Sequence, residues 1–274
     1  MQAFQKGGFL EDKVLSVVGG TGGMGKLFAK IFKNCVKEVA ICSRTFEKAK
    51  RIADSLGISA WPIEESAEAD IVLVSVPVEE TYEVCRAIVG KMSENSLLME
   101  LSSVKQGISD RLSKNFEEKK IEYLSLHPLF GPRIRSIKGR RIVIIPLKTG
   151  PIAEKVIEFL RGKDALIIES NVEEHDRYMA IIQVAHHFAF LSLLTMEEFF
   201  TKASLREFKT ESFKRTDKTL KMIRENLDTI LAIQEINPYA DYARRKFLES
   251  ARMISKMDDD SIKKIREAIN KYGI

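Results

Sequence analysis

The sequence predicts an α/β fold in which a Rossmann-like, doubly wound and mostly parallel sheet is followed by an all-helical domain. Short apolar runs rich in β-branched residues alternate with amphipathic segments up to about residue 170, and a glycine-rich turn follows the first of these runs. After that point the pattern is helical only. The 274 residues suffice for two domains. We therefore predict a dinucleotide-binding domain over residues 1–170 and a helical substrate and dimerisation domain over residues 171–274.

The glycine-rich turn is the motif that suggests a ligand. A buried strand at 14–18 leads into Gly20-x-Gly22-x-x-Gly25, and an amphipathic helix follows. In such a turn the first glycine allows a sharp bend, the second lets the backbone approach a pyrophosphate, and the third lets the helix pack closely on the strand. The helix N-terminus then faces the phosphates. This order predicts dinucleotide binding rather than a glycine turn without function.

The end of the second predicted strand, 38–42, indicates which dinucleotide is bound. NAD enzymes usually place an Asp or Glu about 20 residues after the glycines, where it binds the ribose 2′-hydroxyl. Here that position holds Ser43, Arg44 and Thr45. A guanidinium and two hydroxyls can bind a 2′-phosphate, which a carboxylate would repel. We predict NADP, with NAD as the less favoured cofactor and an exposed Arg44 without function as the alternative.

The remaining elements complete the predicted sheet. The strand at 70–77 ends in Ser75, Val76 and Pro77, which we expect to reach the cofactor because ligands lie at the carboxyl ends of parallel strands. Further strands are predicted at 58–62, 96–101, 122–126, 141–146 and 165–168, and helices at 46–56, 79–91 and 151–161.

The helical part begins with a long apolar segment, 173–200. A polar stripe of Asp176, Gln183 and His187 runs along it at helical spacing. These polar groups are costly in lipid, so we predict a helix buried in protein rather than a membrane span. Its own domain is too small to cover it, which favours a homodimer through the helical domain. Later helices are predicted at 212–235, 238–256 and 260–271.

Composition and charge limit the classes of partner. Lys and Arg number 44 and Asp and Glu 39, and residues 201–274 carry the whole excess of five, with 17 basic and 12 acidic side chains. This surplus suits a small anionic substrate or a solvated helical face, and it is too dilute for nucleic-acid binding. The three cysteines form no metal-binding spacing, and the N-terminus lacks the apolar core of a signal peptide. We expect no metal and a cytoplasmic location.

Two side chains at predicted strand ends are candidates for catalysis. His127 follows the strand at 122–126, and an imidazole can take a hydroxyl proton near neutral pH. Ser103 follows the preceding strand and could reach the same alcohol. The alternatives are a structural histidine in a turn and a serine that caps the next helix.

Several of these segments together resemble prephenate dehydrogenases, the enzymes of tyrosine biosynthesis, and most of all their short, single-function archaeal or bacterial forms. The resemblance covers residues 13–190 well and the remainder loosely. It is carried by Gly19-Gly-Thr-Gly-Gly-Met-Gly25, Ser75-Val-Pro77, Ser102-Ser-Val-Lys105, His127-Pro-Leu-Phe-Gly-Pro132, Glu174-His-Asp176 and the helix through His187.

The resemblance implies an oxidative decarboxylation of prephenate, a dianion, by NAD(P). It implies that His127 takes or polarises the proton of the ring hydroxyl, that Ser103 orients that hydroxyl, and that His187, rather than His186, lies on the substrate side. Arg224 resembles a family arginine that binds a substrate carboxylate. The cofactor-binding residues would be Gly20, Thr21, Gly22, Gly23, Met24, Gly25, Ser43, Arg44, Thr45, Ser75, Val76 and Pro77.

One departure from the family pattern concerns the carboxylate site. Where bacterial members have a second arginine about two turns after the first, this sequence has Ala232. Candidate replacements are Arg133, Arg215, Arg244 and Arg245, one of which could come from a partner subunit.

Three other functions stay open. The substrate could be arogenate, or the chain could be another NADP-dependent oxidoreductase of the β-hydroxyacid type, although no lysine lies on the stripe of the helix at 173–200. It could also be a non-catalytic NADP-binding sensor. Such a sensor needs only the glycine turn and Arg44, so His127, Ser103 and His187 together favour an enzyme.

Overall fold

A computed structural model describes residues 10–116, 119–196 and 207–272 of the chain. The chain divides into two compact units, the first ending at His175 and the second beginning at Asp176. Each unit has its own architecture.

The first unit is built on an eight-stranded sheet, with strand order β3-β2-β1-β4-β5-β6-β7-β8. Neighbouring strands are parallel except β6 and β7, which are antiparallel, so the predicted doubly wound, mostly parallel fold is confirmed. The strands are β1 Val14–Val18, β2 Glu38–Cys42, β3 Ser59–Trp61, β4 Ile71–Val74, β5 Leu97–Glu100, β6 Glu122–Pro128, β7 Arg141–Lys148 and β8 Leu166–Glu169.

Helices connect these strands and bury their apolar faces on the sheet. Phe28 and Phe32 of the first helix are fully buried in the same core as Leu15 and Val17 of β1. Fully burying side chains of this size stabilises a fold by about 1.5 to 3 kcal/mol each. The helices are α1 Gly23–Phe32, α2 Phe46–Leu56, α3 Val78–Val89, α4 Ser109–Phe116 and α5 Pro151–Gly162.

The antiparallel strands β6 and β7 both extend two residues beyond their predicted ends. The apolar run suggested an end at residue 126, but β6 continues through Pro128. The reason is its antiparallel neighbour, since His127 pairs with Val143 and Pro128 with Ile142 of β7. His127 therefore lies inside a strand rather than just after one.

The second unit is helical in its described residues, and the predicted helix at 173–200 is not a single α-helix. It comprises α6 Val172–Met179, a π-helical segment Ala180–Ala185 and α7 His186–Leu194. Residues 197–200 lie outside the described residues. The predicted helix at 212–235 is also divided, because the Asn226 side chain donates to the Met222 carbonyl and ends the first part. The later helices are α8 Glu211–Glu225, α9 Leu227–Ile236, α10 Ala240–Ser255 and α11 Asp259–Tyr272.

The apolar helix of the second unit is poorly covered. None of the residues of α7 is buried, and Ile181 and Ile182 are 69% and 58% exposed. The described part of the chain therefore does not cover these residues by itself, and their burial against a second copy stays a prediction. In the described part of the chain, every helix is too short or too polar to cross a bilayer.

Candidate functional site

The glycine turn joins β1 to α1 and packs against the end of β4. Gly19 has φ +78°, and a Cβ at this position would lie 2.3 Å from the Ser75 carbonyl oxygen. The backbone N–H of Ser75 donates to the Val18 carbonyl at 2.8 Å. The turn therefore requires glycine, and it places the Ser75–Pro77 segment beside the start of α1.

The start of α1 can accommodate a phosphate. A Cβ at Gly25 would lie 2.6 Å from the Gly19 carbonyl oxygen, so glycine permits the close approach of helix and turn. Gly22 precedes the helix, where no side chain caps the N-terminal N–H groups, and the first turn contains no acidic residue. Such an end attracts anions, because its N–H groups and its dipole both favour negative charge.

Polar side chains at the end of β2 lie next to this turn. The Ser43 and Thr21 hydroxyl oxygens are 3.5 Å apart, and the Thr45 N–H donates to Ser43 Oγ at 3.4 Å. The Arg44 side chain is 80% exposed and lies 3.4 Å from a carboxylate oxygen of Glu80. These hydroxyls and this guanidinium have the chemistry to bind a phosphate monoester near the glycine turn. The residues present therefore fit NADP.

His127 is buried in β6, only 4% exposed. Its Nδ1 lies 2.8 Å from Nε2 of His175, which is also buried. Burial holds the pKa of His127 well below its usual value of 6.5, and His175 and Lys105 lower it further. His127 is therefore a neutral imidazole near pH 7, a state that can accept a proton.

A buried ion pair supports the loop that carries Ser103. The Lys105 ammonium lies 2.9 Å from Glu100, and both side chains are fully buried. Glu100 also accepts hydrogen bonds from Ser125 Oγ and from the Ser102 N–H. Lys105 donates to the Leu126 carbonyl at 2.8 Å, so it ties this loop to the residue before His127.

The structure therefore places the loop of Ser103, which is half-buried, along the strand that carries His127. The sequence prediction assigned no role to Lys105 or Glu100. The pattern that could have indicated their ion pair is a carboxylate at the end of an apolar strand with a lysine five residues later.

The segment after His127 leads back to the glycine turn. A Cβ at Gly23 would lie 2.7 Å from Pro132 Cγ, so the two segments are in van der Waals contact at the start of α1. A groove of about 710 Å³ runs from this contact along α1 and is lined on its other side by residues 132–137. One edge of the first unit thus combines the turn, the Ser75–Pro77 segment, the Ser43–Thr45 segment and β6.

His187 and Arg224 belong to the second unit. His187 is the second residue after the π-helical segment. Burial, together with the neighbouring His186, lowers the pKa of His187 to about 4. Its Nδ1 is buried without a hydrogen-bond partner among the described residues, whereas His186 is exposed. Arg224 is exposed on α8, a helix that contacts α7.

Two buried amides stabilise the broken helix before His187. Gln234 Nε2 donates to the Val184 carbonyl at 2.8 Å, and Asn237 Nδ2 donates to the Asp176 carbonyl at 3.0 Å. Arg244 donates to both the carbonyl and the side-chain oxygen of Gln234. Such donors satisfy carbonyls that an irregular helix leaves unpaired, and π-helical segments are frequent at functional sites. Arg244 is thus engaged in holding this helix.

The described side chains include no group of three or more His, Cys, Asp or Glu that could hold a metal ion. The three cysteines are free thiols, and burial raises the pKa of Cys42 to about 12.

Comparison with known proteins gives a family. Residues 28–169 match the family model described as prephenate dehydrogenase, nucleotide-binding domain. The chain is 29% identical over 272 residues to a protein of Methanocaldococcus jannaschii named as a probable arogenate/prephenate dehydrogenase, covering 94% of this chain and 61% of that protein. It is 32% identical over 175 residues to the T-protein of Haemophilus influenzae, covering 63% of this chain and 42% of that protein. The chain thus spans about half the length of these relatives.

Solved structures share the fold. The prephenate dehydrogenase of A. aeolicus, in complex with hydroxyphenyl propionate and NAD⁺, superposes with a TM-score of 0.72 at 18% identity, covering 96% of this chain and 98% of that one. Synechocystis arogenate dehydrogenase gives a TM-score of 0.65 at 15% identity, covering 94% and 98%.

Proposed function

The chain belongs to the prephenate dehydrogenase family, and we propose that it catalyses the oxidative decarboxylation of prephenate with NADP as the hydride acceptor. When bound, the nicotinamide accepts the hydride from the ring carbon that bears the hydroxyl. The hydroxyl proton passes to His127 as the hydride leaves, the bond from the ring to its carboxylate breaks and CO₂ leaves, and the electron pair of that bond makes the ring aromatic. The phenolate oxygen that results takes the proton back from His127.

One observation supports this proposal above the others. A buried, neutral imidazole lies on the strand that leads, through Pro132, back to the glycine turn. Burial lowers the pKa of His127, so the ring is neutral near pH 7 and has one nitrogen that can accept a proton. Ser103, on the neighbouring loop, would orient the hydroxyl.

His187 and Arg224 stay proposed substrate-binding residues. Prephenate carries two carboxylates, so its site needs at least one cation, and Arg224 is the candidate from the family resemblance. The free thiols, two of them buried, suit a reducing compartment such as the cytoplasm.

Arogenate is the second candidate substrate, because the relative from M. jannaschii is named for both compounds. The test is to assay prephenate and arogenate, each with NADP and NAD, by the absorbance of the reduced nicotinamide. We expect the highest kcat/KM for prephenate with NADP. A higher kcat/KM for arogenate would make arogenate the favoured substrate. If neither compound led to reduction of NADP or NAD, the proposed activity would be overturned.

Arg44 tests the cofactor. Arg44→Asp replaces the guanidinium with a carboxylate, which repels a 2′-phosphate but can bind a 2′-hydroxyl. We expect NADP to bind at least about 10-fold more weakly while NAD binding changes little, since a charge-assisted bond contributes about 1.5 to 3 kcal/mol. Calorimetric titration with each cofactor measures this. Glu80→Gln is the control, because it releases Arg44 from its carboxylate partner without placing a new negative charge beside the 2′-phosphate. Equal losses for both cofactors in Arg44→Asp would contradict the NADP assignment.

We also propose that the chain forms a homodimer through the second unit. The support is the apolar side chains of the π-helical segment, where Ile181 and Ile182 are exposed, together with α7, in which no residue is fully buried.

A further inference from the structure

His127 and His175, both buried in the first unit, are in direct contact, and His175 has no role in the reaction as proposed so far. His127 Nδ1 and His175 Nε2 are 2.8 Å apart, and the rings meet edge to face at 68°. His127 is 4% exposed and His175 is 2% exposed. With Nδ1 engaged in this contact, His127 can act on a substrate hydroxyl only through Nε2.

Both rings are fixed by regular structure. His127 is held in β6 by its pairing with Val143 of β7. His175 lies in the first turn of α6, whose start is capped by Asn171: its side-chain oxygen accepts from the Glu174 N–H, and its carbonyl accepts from the His175 N–H. Two rings held by a strand and by a capped helix keep their geometry without reorganisation, as a catalytic pair requires.

We propose that His175 is a positioning residue: its Nε2 accepts a hydrogen bond from Nδ1–H of His127 and thereby fixes the tautomer in which His127 Nε2 can take the substrate proton. The proposal rests on the proposed function of His127 as a base.

The direction of this hydrogen bond decides whether His127 can act as a base. A neutral imidazole carries one proton, so the ring is either Nδ1–H or Nε2–H. If His175 donated instead, His127 would have to be the Nε2–H tautomer, which cannot accept a proton at Nε2. If His127 donates, Nε2 holds the lone pair. The bond also strengthens once His127 becomes a cation, because its donor is then charged.

The Lys105 ammonium makes a protonated His127 costly, so an acceptor that stabilises the protonated ring matters. Lys105 lowers the pKa of His127, and Glu100 faces Lys105 from the end of β5. A buried imidazolium beside an ammonium is costly, so an acceptor on Nδ1–H offsets part of the cost when the proton arrives.

A matched pair of variants tests the role of His175. In His175→Gln the side-chain oxygen can accept at nearly the position of Nε2, whereas His175→Leu fills similar space without an acceptor. We expect kcat with prephenate to fall by less than about 10-fold in the glutamine variant and by about 100-fold or more in the leucine variant, while KM and NADP affinity change little. Equal losses in both variants, or losses confined to KM, would overturn the proposal.

A second measurement does not depend on activity. The chain has only four histidines, so two-bond ¹H–¹⁵N correlation spectra of the ¹⁵N-labelled wild type can be assigned with single variants. We expect His127 to be the Nδ1–H tautomer in the wild type, and an Nε2–H tautomer would overturn the proposal. A wild type that shows the Nδ1–H tautomer but oxidises neither substrate would overturn the proposed function and leave the hydrogen bond supported.

Discussion

The two units differ in which side chains they bury. In the first unit the polar groups around His127 are enclosed and hydrogen-bonded, with Lys105 fully buried and His127 and His175 nearly so. In the second unit apolar side chains at the end of α6 and in the π-helical segment are left in contact with solvent, with Tyr178 56% and Ile181 69% exposed. The first unit therefore completes its core and this part of the site from its own residues, whereas the second unit exposes a surface that suits a second copy of the chain.

The largest expected effect is on this exposed surface. Tyr178, Ile181 and Ile182 share one face of the helix at spacings of three and four residues. Ile181→Glu would remove about 1.5 to 3 kcal/mol of apolar burial per copy and add a charge. Since a dimer contains the substitution twice, we expect its dissociation constant to rise by at least about 100-fold. Analytical ultracentrifugation over a range of protein concentrations measures the dissociation constant.

Phe46→Glu provides the control, because Phe46 is also apolar and partly exposed but lies on α2 of the first unit. We expect it to keep the dimer mass. A wild type that sediments as a monomer at all concentrations would contradict the homodimer, and equal effects of the two variants would mean that the face at 178–182 is not the interface.

Breaking the buried ion pair of Glu100 and Lys105 in the first unit should lower the free energy of unfolding. Lys105→Met leaves the Glu100 carboxylate buried without its cation, which costs about 3 to 5 kcal/mol in comparable buried pairs. Urea unfolding followed by fluorescence suits this unit, because the only tryptophan, Trp61, lies in β3.

The double variant Glu100→Gln/Lys105→Met separates the pair from its packing. Since it removes both charges, we expect it to recover at least half of the loss in free energy of unfolding. A double variant as unstable as Lys105→Met would show that the lysine acts mainly through its hydrogen bond to the Leu126 carbonyl.

His127 should affect turnover without affecting the fold. His127→Asn keeps a donor near the position of Nδ1, facing His175, but has no Nε2. We expect kcat to fall by about 100-fold or more, as for loss of a general base, while NADP binding and the urea midpoint stay close to the wild type. The measurements are steady-state kinetics with prephenate and calorimetric titration with NADP. Unchanged turnover would remove His127 from the mechanism.

Local patterns were enough to predict much of the first unit. The bounds of β1, β2 and α2 agree with the sequence prediction, because an apolar run limited by glycine or polar residues leaves little choice of register. The Thr21–Ser43 contact, which was not predicted, is consistent with the motif, because the two residues follow the ends of the neighbouring parallel strands β1 and β2.

What the sequence could not predict depends on contacts between distant residues. The π-helical segment accompanies a hydrogen bond from Gln234 to a carbonyl 50 residues earlier, and helical periodicity carries no sign of it. His127 and His175 are 48 residues apart and meet only because α6 starts where β8 ends. The link from Lys105 to the strand of His127 is also a contact between distant residues, since its partner, the Leu126 carbonyl, lies 21 residues later.

The smallest expected effect is the dependence of stability on pH, and it tests whether His127 is truly enclosed. Its pKa in the folded state lies well below the usual 6.5, so the native state holds a neutral ring while the unfolded chain takes a proton below about pH 6.5. Acid therefore favours unfolding. We expect the wild type to lose up to about 1.4 kcal/mol per pH unit more than His127→Gln between about pH 6 and pH 5, with equal slopes above about pH 7.5. Urea titrations of Trp61 fluorescence at these pH values measure the difference. Parallel slopes at acid pH would mean that the imidazole takes its proton in the folded state, which an enclosed ring beside the Lys105 ammonium could not do at so little cost.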